Sequence, residues 1–191
     1  MKILAFTCVR NESPFLLEWI AYHRLIGVSD FLFFSNDCDD GTDAMLSLLD
    51  RHGVVRHVPH TAEPGKSVQW QALQKVARDR MTAGYDWAMF TDVDEFPMVH
   101  AGGHRLADAI ALMPGGTDAI AMPWRLFGAN GRVRFEDQPV TAQFLASAPA
   151  ELYHPIAGRY IKTLFRPARF QKPGVHRPKR LPDTAAPLWA D

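Results

Sequence analysis

The chain has 191 residues, of which 47% are hydrophobic and 22% are charged. This composition predicts one globular domain with its own core and excludes a disordered chain. Lysine and arginine together number 21, as do aspartate and glutamate, so the chain lacks the basic charge that holds a nucleic acid and we predict no nucleic-acid partner.

No apolar run approaches the ~20 residues needed to cross a bilayer, which predicts no integral membrane segment. The first residues also lack a cleavage site for secretion. We therefore expect a cytoplasmic protein, with peripheral attachment to a membrane left open. The two cysteines, Cys8 and Cys38, are too few for a disulfide framework, and we predict that both are buried thiols.

Strand-like and helix-like segments alternate over the first 125 residues. The predicted strands cover residues 2–9, 30–35, 54–58, 85–91 and 118–124. The predicted helices cover residues 13–26, 42–49, 67–81 and 104–113, the first of them capped by Ser13. This alternation predicts an α/β fold with a Rossmann-like, mostly parallel sheet and helices on both faces.

The periodicity weakens after residue 125. Only short apolar pieces remain, at residues 140–145 and 160–165, among many prolines. We expect this portion to be rich in loops and to wrap the sheet, with a frayed C-terminal end.

Polar residues follow three of the predicted strands, at residues 10–12, 36–40 and 92–95. Ligands of open parallel sheets bind at the carboxyl ends of the strands, so these three loops should share one edge. Alternation along a strand predicts that Asp92 and Asp94 face one point while Glu95 faces away. Paired carboxylates suit Mg²⁺ or Mn²⁺ held against a diphosphate, although each aspartate alone is also typical of a strand end or a helix cap.

Three segments carry a resemblance to a known family. RNESPFLLEWIAYHRLIGVSDFLFFSND, the DDGT turn and WAMFTDVDEFP resemble the family 2-like glycosyltransferases of the GT-A fold, particularly the branch related to glycosyltransferase family 92. The resemblance covers about residues 3–130. It implies a metal-dependent glycosyltransferase that moves a sugar from a nucleoside diphosphate donor, expected to be a UDP-sugar, to a glycan or other hydroxyl acceptor in polysaccharide or glycoconjugate synthesis.

The resemblance also implies roles for individual residues. The residues expected to contact the donor are Arg10, Asn11, Glu12, Asn36, Asp37, Asp92 and Trp124, the last of which opens a segment like the family's acceptor side. Asp92 and Asp94 are expected to hold Mn²⁺ or Mg²⁺, with His176, or alternatively His154, completing the metal shell. Lys162 or Arg159 would add positive charge near the phosphates.

The acceptor needs a base if the enzyme inverts the anomeric centre. Glu95, Glu136 and Asp137 are the candidates, and the sequence does not choose among them; Asp94 and Glu95 are also expected at the reaction centre. We expect a single glycosyltransferase-like domain over residues 1–191. Residues 1–130 would bind the nucleotide-sugar, and residues 131–191 would form an acceptor side that is incomplete compared with family members.

Two other classes of function stay open. A binding or scaffold protein of the same fold would bind nucleotide and metal without transferring a sugar. Another metal-dependent phosphate enzyme would also use carboxylates at strand ends, but it would be expected to have a glycine-rich phosphate loop after the first strand. The segment RNESPF contains no glycine.

Overall fold

The computed structural model describes residues 1–61, 63, 65–149 and 160–191. Its strands are β1 (Ile3–Val9), β2 (Asp30–Ser35), β3 (Arg56–Pro59), β4 (Trp87–Phe90), β5 (Ala119–Pro123), β6 (Ile161–Phe165), β7 (Phe170–Lys172), β8 (Lys179–Arg180) and β9 (Trp189–Ala190). Its α-helices are α1 (Leu16–Leu25), α2 (Thr42–Arg51), α3 (Val68–Arg78), α4 (Leu106–Leu112) and α5 (Val140–Gln143).

Seven strands form the main sheet in the order β3-β2-β1-β4-β6-β5-β9, and β7 pairs with β8 in a small second sheet. Strands β1 to β4 are mutually parallel where they pair. Strand β6 lies between β4 and β5 and runs antiparallel to both. The predicted α/β fold with a mostly parallel sheet is confirmed, and the start of β6 lies at the edge where β4 and β5 end.

The core lies on both faces of the sheet, because alternate residues of the central strands are buried on opposite sides. Ile3 and Ala5 of β1 belong to the cluster that includes Trp19 of α1. Leu4 and Phe6 belong to the cluster that includes Leu73 of α3. Because both faces of the central strands are buried, their sequences are continuously apolar. A run of apolar residues was therefore sufficient to predict these strands.

The helix starts correct one local expectation and agree with another. Phe15, not Ser13, is the N-cap of α1, and the Ser13 hydroxyl instead donates to the Asp40 carbonyl in the neighbouring loop at 3.2 Å. Ser67 does cap α3, accepting from the backbone N–H of Trp70 at 3.4 Å.

The C-terminal portion differs more from its expectation. This portion was expected to wrap the sheet, but it also contributes a strand to the sheet, because β6 lies between β4 and β5. The last residues are not frayed, since Trp189 and Ala190 pair with β5 and Asp118 accepts a hydrogen bond from the Leu188 backbone N–H at 3.1 Å. Residues 140–143 form the short helix α5.

Among the described residues, no helix combines the length and apolarity that a membrane span requires. Cys8 and Cys38 are free thiols, as predicted, but both are half-buried and not fully buried. Burial, with a smaller effect of the Asp92 charge, raises the pKa of Cys8 to about 12. This thiol is therefore protonated and unreactive at neutral pH.

Candidate functional site

The loops that follow β1 and β2 are joined by side-chain hydrogen bonds. Asn11 donates to the Asp39 carboxylate at 2.6 Å and accepts from the Asp39 backbone N–H at 2.9 Å. Asn11 adopts a positive φ of 57°, a conformation that asparagine tolerates better than most residues. The Glu12 backbone N–H donates to the hydroxyl of buried Thr42 at 2.9 Å. Two of the three predicted loops therefore form one connected edge.

Asp40 holds the same junction together. Its carboxylate accepts from the backbone N–H groups of Ser13 at 3.0 Å and Thr42 at 2.9 Å. Desolvation works in the opposite direction, but the hydrogen bonds from Thr42 and Ser13 outweigh it and lower the pKa of Asp40. Asp40 is therefore charged at neutral pH and fixes the start of α2 beside the β1 loop.

The third loop is a turn and not an extension of a strand. Strand β4 ends at Phe90, and the backbone N–H of Glu95 donates to the carbonyl of Asp92 at 3.1 Å. The Glu95 carboxylate accepts from the Asp92 backbone N–H at 2.9 Å and from the Thr91 hydroxyl at 3.1 Å. The prediction that Glu95 faces away from Asp92 is wrong, because the alternation rule holds only within a strand.

Lys162 of β6 lies between two carboxylates of this turn. Its Nζ is 2.8 Å from Oδ2 of Asp92 and 3.1 Å from Oε2 of Glu95. Its side chain is only 4% exposed, and Nζ lies 5.0 Å from the centroid of the Phe90 ring. Gln69 of α3 reaches the other Asp92 oxygen at 3.4 Å. Both oxygens of Asp92 are therefore engaged by the protein.

Asp94 has different surroundings. It is exposed, and within the described residues its carboxylate has no ion pair. Its charge acts on Glu12: burial, followed by the charges of Asp94, Asp40 and Asp92, raises the pKa of the Glu12 carboxyl. The two loops thus bring uncompensated negative charge together, which is the condition under which a cation is attracted.

His176 lies near the same edge. Its Nδ1 is 2.9 Å from the carbonyl of Ile161, so a neutral ring carries its proton on Nδ1 and leaves Nε2 able to bind a cation. The ring packs against Trp124 and Tyr160, with centroids 5.7 and 5.2 Å away. Lys162 Nζ lies 6.0 Å from the Trp124 centroid. The aromatic group of Trp124, Tyr160 and His176 is therefore close to the acidic turn formed by residues 92–95.

The donor types at this edge fit a divalent cation. In the parts of the chain that the structure describes, no three His, Cys, Asp or Glu side chains are grouped so that they could hold a metal ion. The exposed Asp94 carboxylate and Nε2 of His176 are suitable ligands. Asp92 is also a predicted metal ligand, and in this structure its Oδ2 accepts from Lys162 at 2.8 Å and its Oδ1 from Gln69 at 3.4 Å.

The remaining predicted residues are spread along the edge and beyond it. Asn36 is buried at the end of β2, whereas Arg10 and Asp37 are exposed. Asp137 is exposed, and Glu136 pairs with Arg132 at 2.6 Å. The alternatives His154 and Arg159 lie outside the described residues.

The sequence alone predicted neither the contact of Gln69 with Asp92 nor the hydrogen bond between the Glu12 backbone N–H and the Thr42 hydroxyl. Both act through the packing of a helix against the carboxyl edge: Gln69 is in the first turn of α3 and Thr42 is the first residue of α2. No local motif marks such residues, because their function depends on which loop the helix approaches. Polar residues in the first turn of a helix that follows a parallel strand are the only available signal.

The comparisons with known proteins agree with this architecture. A glycosyltransferase family 92 protein of Oryza sativa subsp. japonica is 29% identical over 153 residues, covering 78% of this chain and 25% of the relative. One of Arabidopsis thaliana is 36% identical over 97 residues, covering 50% of this chain and 16% of the relative. The chain thus spans a quarter or less of the length of these relatives.

Among solved structures, that of residues 1–349 of S. aureus TarS superposes with a TM-score of 0.52 at 15% sequence identity, covering 88% of this chain and 48% of that one. This likeness supports the predicted GT-A fold. The model of glycosyltransferase family 92 matches residues 6–187. Because this match spans nearly the whole chain, the protein belongs to glycosyltransferase family 92.

Proposed function

We propose that the protein is a glycosyltransferase that transfers a sugar from a nucleoside diphosphate donor, a UDP-sugar, to an acceptor hydroxyl. The observation that carries the proposal is the acidic edge of a family 92 chain, where hydrogen bonds join the loops after β1 and β2 and the charge of Asp94 in the loop after β4 acts on Glu12. Ligands of open α/β sheets bind at this edge. The donor class, the metal and the acceptor are all part of the proposal.

A cation is required at this edge because the diphosphate of the donor is negatively charged and so are Asp94 and Glu12. We propose that Asp94, assisted by Nε2 of His176, holds Mn²⁺ or Mg²⁺ when the donor binds. When bound, the cation would stabilise the negative charge that develops on the leaving diphosphate. Asp92 is assigned to positioning within the turn, because its two oxygens are already held.

The other side chains would position the donor and the acceptor. Asn36 and Asp37 at the end of β2 would lie near the base or ribose, and Arg10, Asn11 and Glu12 along the nucleotide. The exposed face of the Trp124 and Tyr160 pair, whose centroids are 5.5 Å apart, would offer an aromatic surface to a sugar ring.

The contacts of the three candidate bases, Glu95, Glu136 and Asp137, distinguish them. Glu95 is engaged by Lys162 and the Asp92 backbone N–H, and Glu136 by Arg132. Asp137 is exposed, and within the described ranges it makes no ion pair. We therefore propose Asp137 as the base if the reaction inverts the anomeric centre, and Glu95 as a residue that shapes the turn.

Calorimetric titration of UDP tests the proposal. We expect UDP to bind with Mn²⁺, and to lose at least about tenfold in affinity with EDTA or in Asp94→Ala, because the diphosphate then meets an uncompensated edge. Asp137→Asn is the matched control and should bind UDP like the wild type.

Folding of each variant is verified by circular dichroism. If folded wild-type protein binds UDP under none of these conditions, the UDP assignment is wrong and other nucleotides are tested. If UDP and Mn²⁺ bind but no UDP-sugar is hydrolysed or transferred, the protein is a binding protein of the same fold.

A further inference from the structure

We infer that Lys162 is a positioning residue that reserves Asp92, so that the nucleotide-free site holds a divalent cation only weakly and the cation enters together with the diphosphate. This inference rests on the proposed function, but its test does not. It concerns how the acidic edge is kept stable before any ligand arrives.

The ammonium group of Lys162 is buried beside the acidic turn. The Lys162 side chain is 4% exposed, and a lysine buried to this extent stays charged only when it is paired. The pairing here is double, with Asp92 at 2.8 Å and Glu95 at 3.1 Å. The face of Phe90, 5.0 Å from Nζ, adds a favourable contact for the cation.

The support of this ammonium group is rigid. Lys162 pairs in register with Met122, one residue in from the end of the β5–β6 ladder, and Gln69 holds Asp92 from the side of α3. The turn is closed internally by the bonds between Glu95 and Asp92. The ammonium group is thus fixed by the sheet and does not rely on a mobile loop.

The ion pair also engages one oxygen of Asp92. Nζ of Lys162 donates to Oδ2 of Asp92 at 2.8 Å, so this oxygen is already held by the ammonium group before any cation arrives. Asp94, together with Glu12 and Nε2 of His176, then remains to attract a divalent ion, and among the described residues no three such ligands are grouped. The phosphates of the donor would supply oxygen ligands to the cation in place of the Asp92 oxygen that is bonded to Lys162.

The experiment measures Mn²⁺ binding to nucleotide-free protein by electron paramagnetic resonance of the free ion. We expect Lys162→Met to bind Mn²⁺ at least about tenfold more tightly than the wild type, since removal of the buried positive charge exposes two carboxylates beside Asp94. Lys162→Arg keeps the charge and should remain within about threefold of the wild type.

Lys75→Met is the matched control for net charge. Lys75 pairs with Asp79 at 2.8 Å on α3, six residues from Gln69, and its loss should leave Mn²⁺ affinity unchanged. An unchanged or weaker Mn²⁺ affinity in folded Lys162→Met overturns the inference.

A second comparison covers the case in which Lys162→Met does not fold. Asp92→Asn and Asp94→Asn keep the shape of the side chains, and only Asp94→Asn should abolish Mn²⁺ binding. Equal losses in the two variants would show that Asp92 is a metal ligand and would overturn the inference. A UDP titration of the same samples reports on the donor assignment separately, because Mn²⁺ is measured here without nucleotide.

Discussion

Asp92, Asp94 and Glu95 belong to one short turn but have different electrostatic surroundings. Asp92 and Glu95 share the ammonium group of Lys162. Burial raises the pKa of Glu95, although Lys162 beside it works in the opposite direction. Asp94 is exposed to solvent. Neighbouring residues of similar chemistry are thus suited to different tasks, two to shape the turn and one to meet a ligand.

The Glu12 carboxyl gives a test of this charge distribution through stability. Its pKa is raised by burial and then by the charges of Asp94, Asp40 and Asp92. A raised carboxyl pKa means that the associated stability is complete below the unfolded value of 4.5 and is lost as the pH rises through the folded value. Glu12→Gln should therefore raise Tm at pH 7 by about 1–3 °C and leave it unchanged near pH 4.

Scanning calorimetry at the two pH values measures this effect, with Asp137→Asn as the control at an exposed carboxylate. A Tm at pH 7 equal to or below that of the wild type would show that the carboxylates do not repel one another in the folded protein.

At this scale the sequence predicted where the polar residues lie but not which way they point. The position of Asp92 and Asp94 followed from the rule that parallel strands end at one edge. The orientation of Glu95 did not, because β4 ends at Phe90 and the backbone then turns. The ion pair between Asp92 and Lys162 was also not predicted. The two residues are 70 positions apart along the chain, and only the pairing of strands in the sheet brings them together.

Helix α1 connects the acidic turn to the core. The Trp19 indole N–H donates to the Asp92 carbonyl at 2.9 Å, and the Tyr22 hydroxyl donates to the Pro97 carbonyl at 2.9 Å. His23 stacks on Trp19 with centroids 3.9 Å apart and faces Phe96 at 6.2 Å. The helix therefore supports the residues on both sides of Glu95 from below.

His23 should make the stability of this support depend on pH. Burial lowers the pKa of His23 to about 4, although the hydrogen bond with the Trp19 carbonyl works against this. Because the folded pKa lies below the unfolded value of 6.5, the stability is complete above pH 6.5 and is lost as the pH falls towards 4. The loss should reach the order of 3 kcal/mol, from the size of the shift.

Urea unfolding at pH 7.5, 5.5 and 4.5 measures this dependence. His23→Gln, which does not titrate, should have a flatter profile over this range; the remaining slope includes His57, whose pKa is also lowered by burial. A profile as steep as that of the wild type would mean that His23 is not the group responsible.

Elements whose partners follow closely in sequence were predicted well, and those with distant partners were not. Strands β1 to β5 and helices α1 to α4 all lie where periodicity placed them, with ends shifted by a few residues. Residues 160–165 were recognised as an apolar piece, but their place between β4 and β5 was not. The local spacing of apolar residues indicates whether a segment is a helix or a strand, whereas the order of the strands in the sheet depends on packing across the whole molecule.

Residues 188–190 form one edge of the main sheet beside β5. Backbone N–H groups of Asp118 and Ala119 donate to the Leu188 carbonyl, and Trp189 packs edge-on against Phe170 at 6.2 Å. Deletion of residues 188–191 should lower the free energy of unfolding by about 1–3 kcal/mol, because β5 becomes an unpaired edge and Phe170 is uncovered. UDP affinity should not change, since two strands, β6 and β5, lie between β4 and β9.

Urea unfolding and the UDP titration measure these two effects, and deletion of Asp191 alone is the control. A deletion that leaves the free energy of unfolding unchanged would show that β9 does not contribute to the sheet. A loss of UDP affinity in a folded variant would place part of the binding site at this edge.

The position of β6 also sets the order in which the protein is built. Strands β4 and β5 emerge from the ribosome long before residues 161–165, yet they meet only through β6. The nascent chain can pair β1, β2 and β4 early, whereas the second half of the sheet must wait for this late, long-range strand. Closure of the sheet between β4 and β5 and placement of Lys162 beside Asp92 then occur in one step, so the growing chain completes its acidic edge only after residues 161–165 have been synthesised.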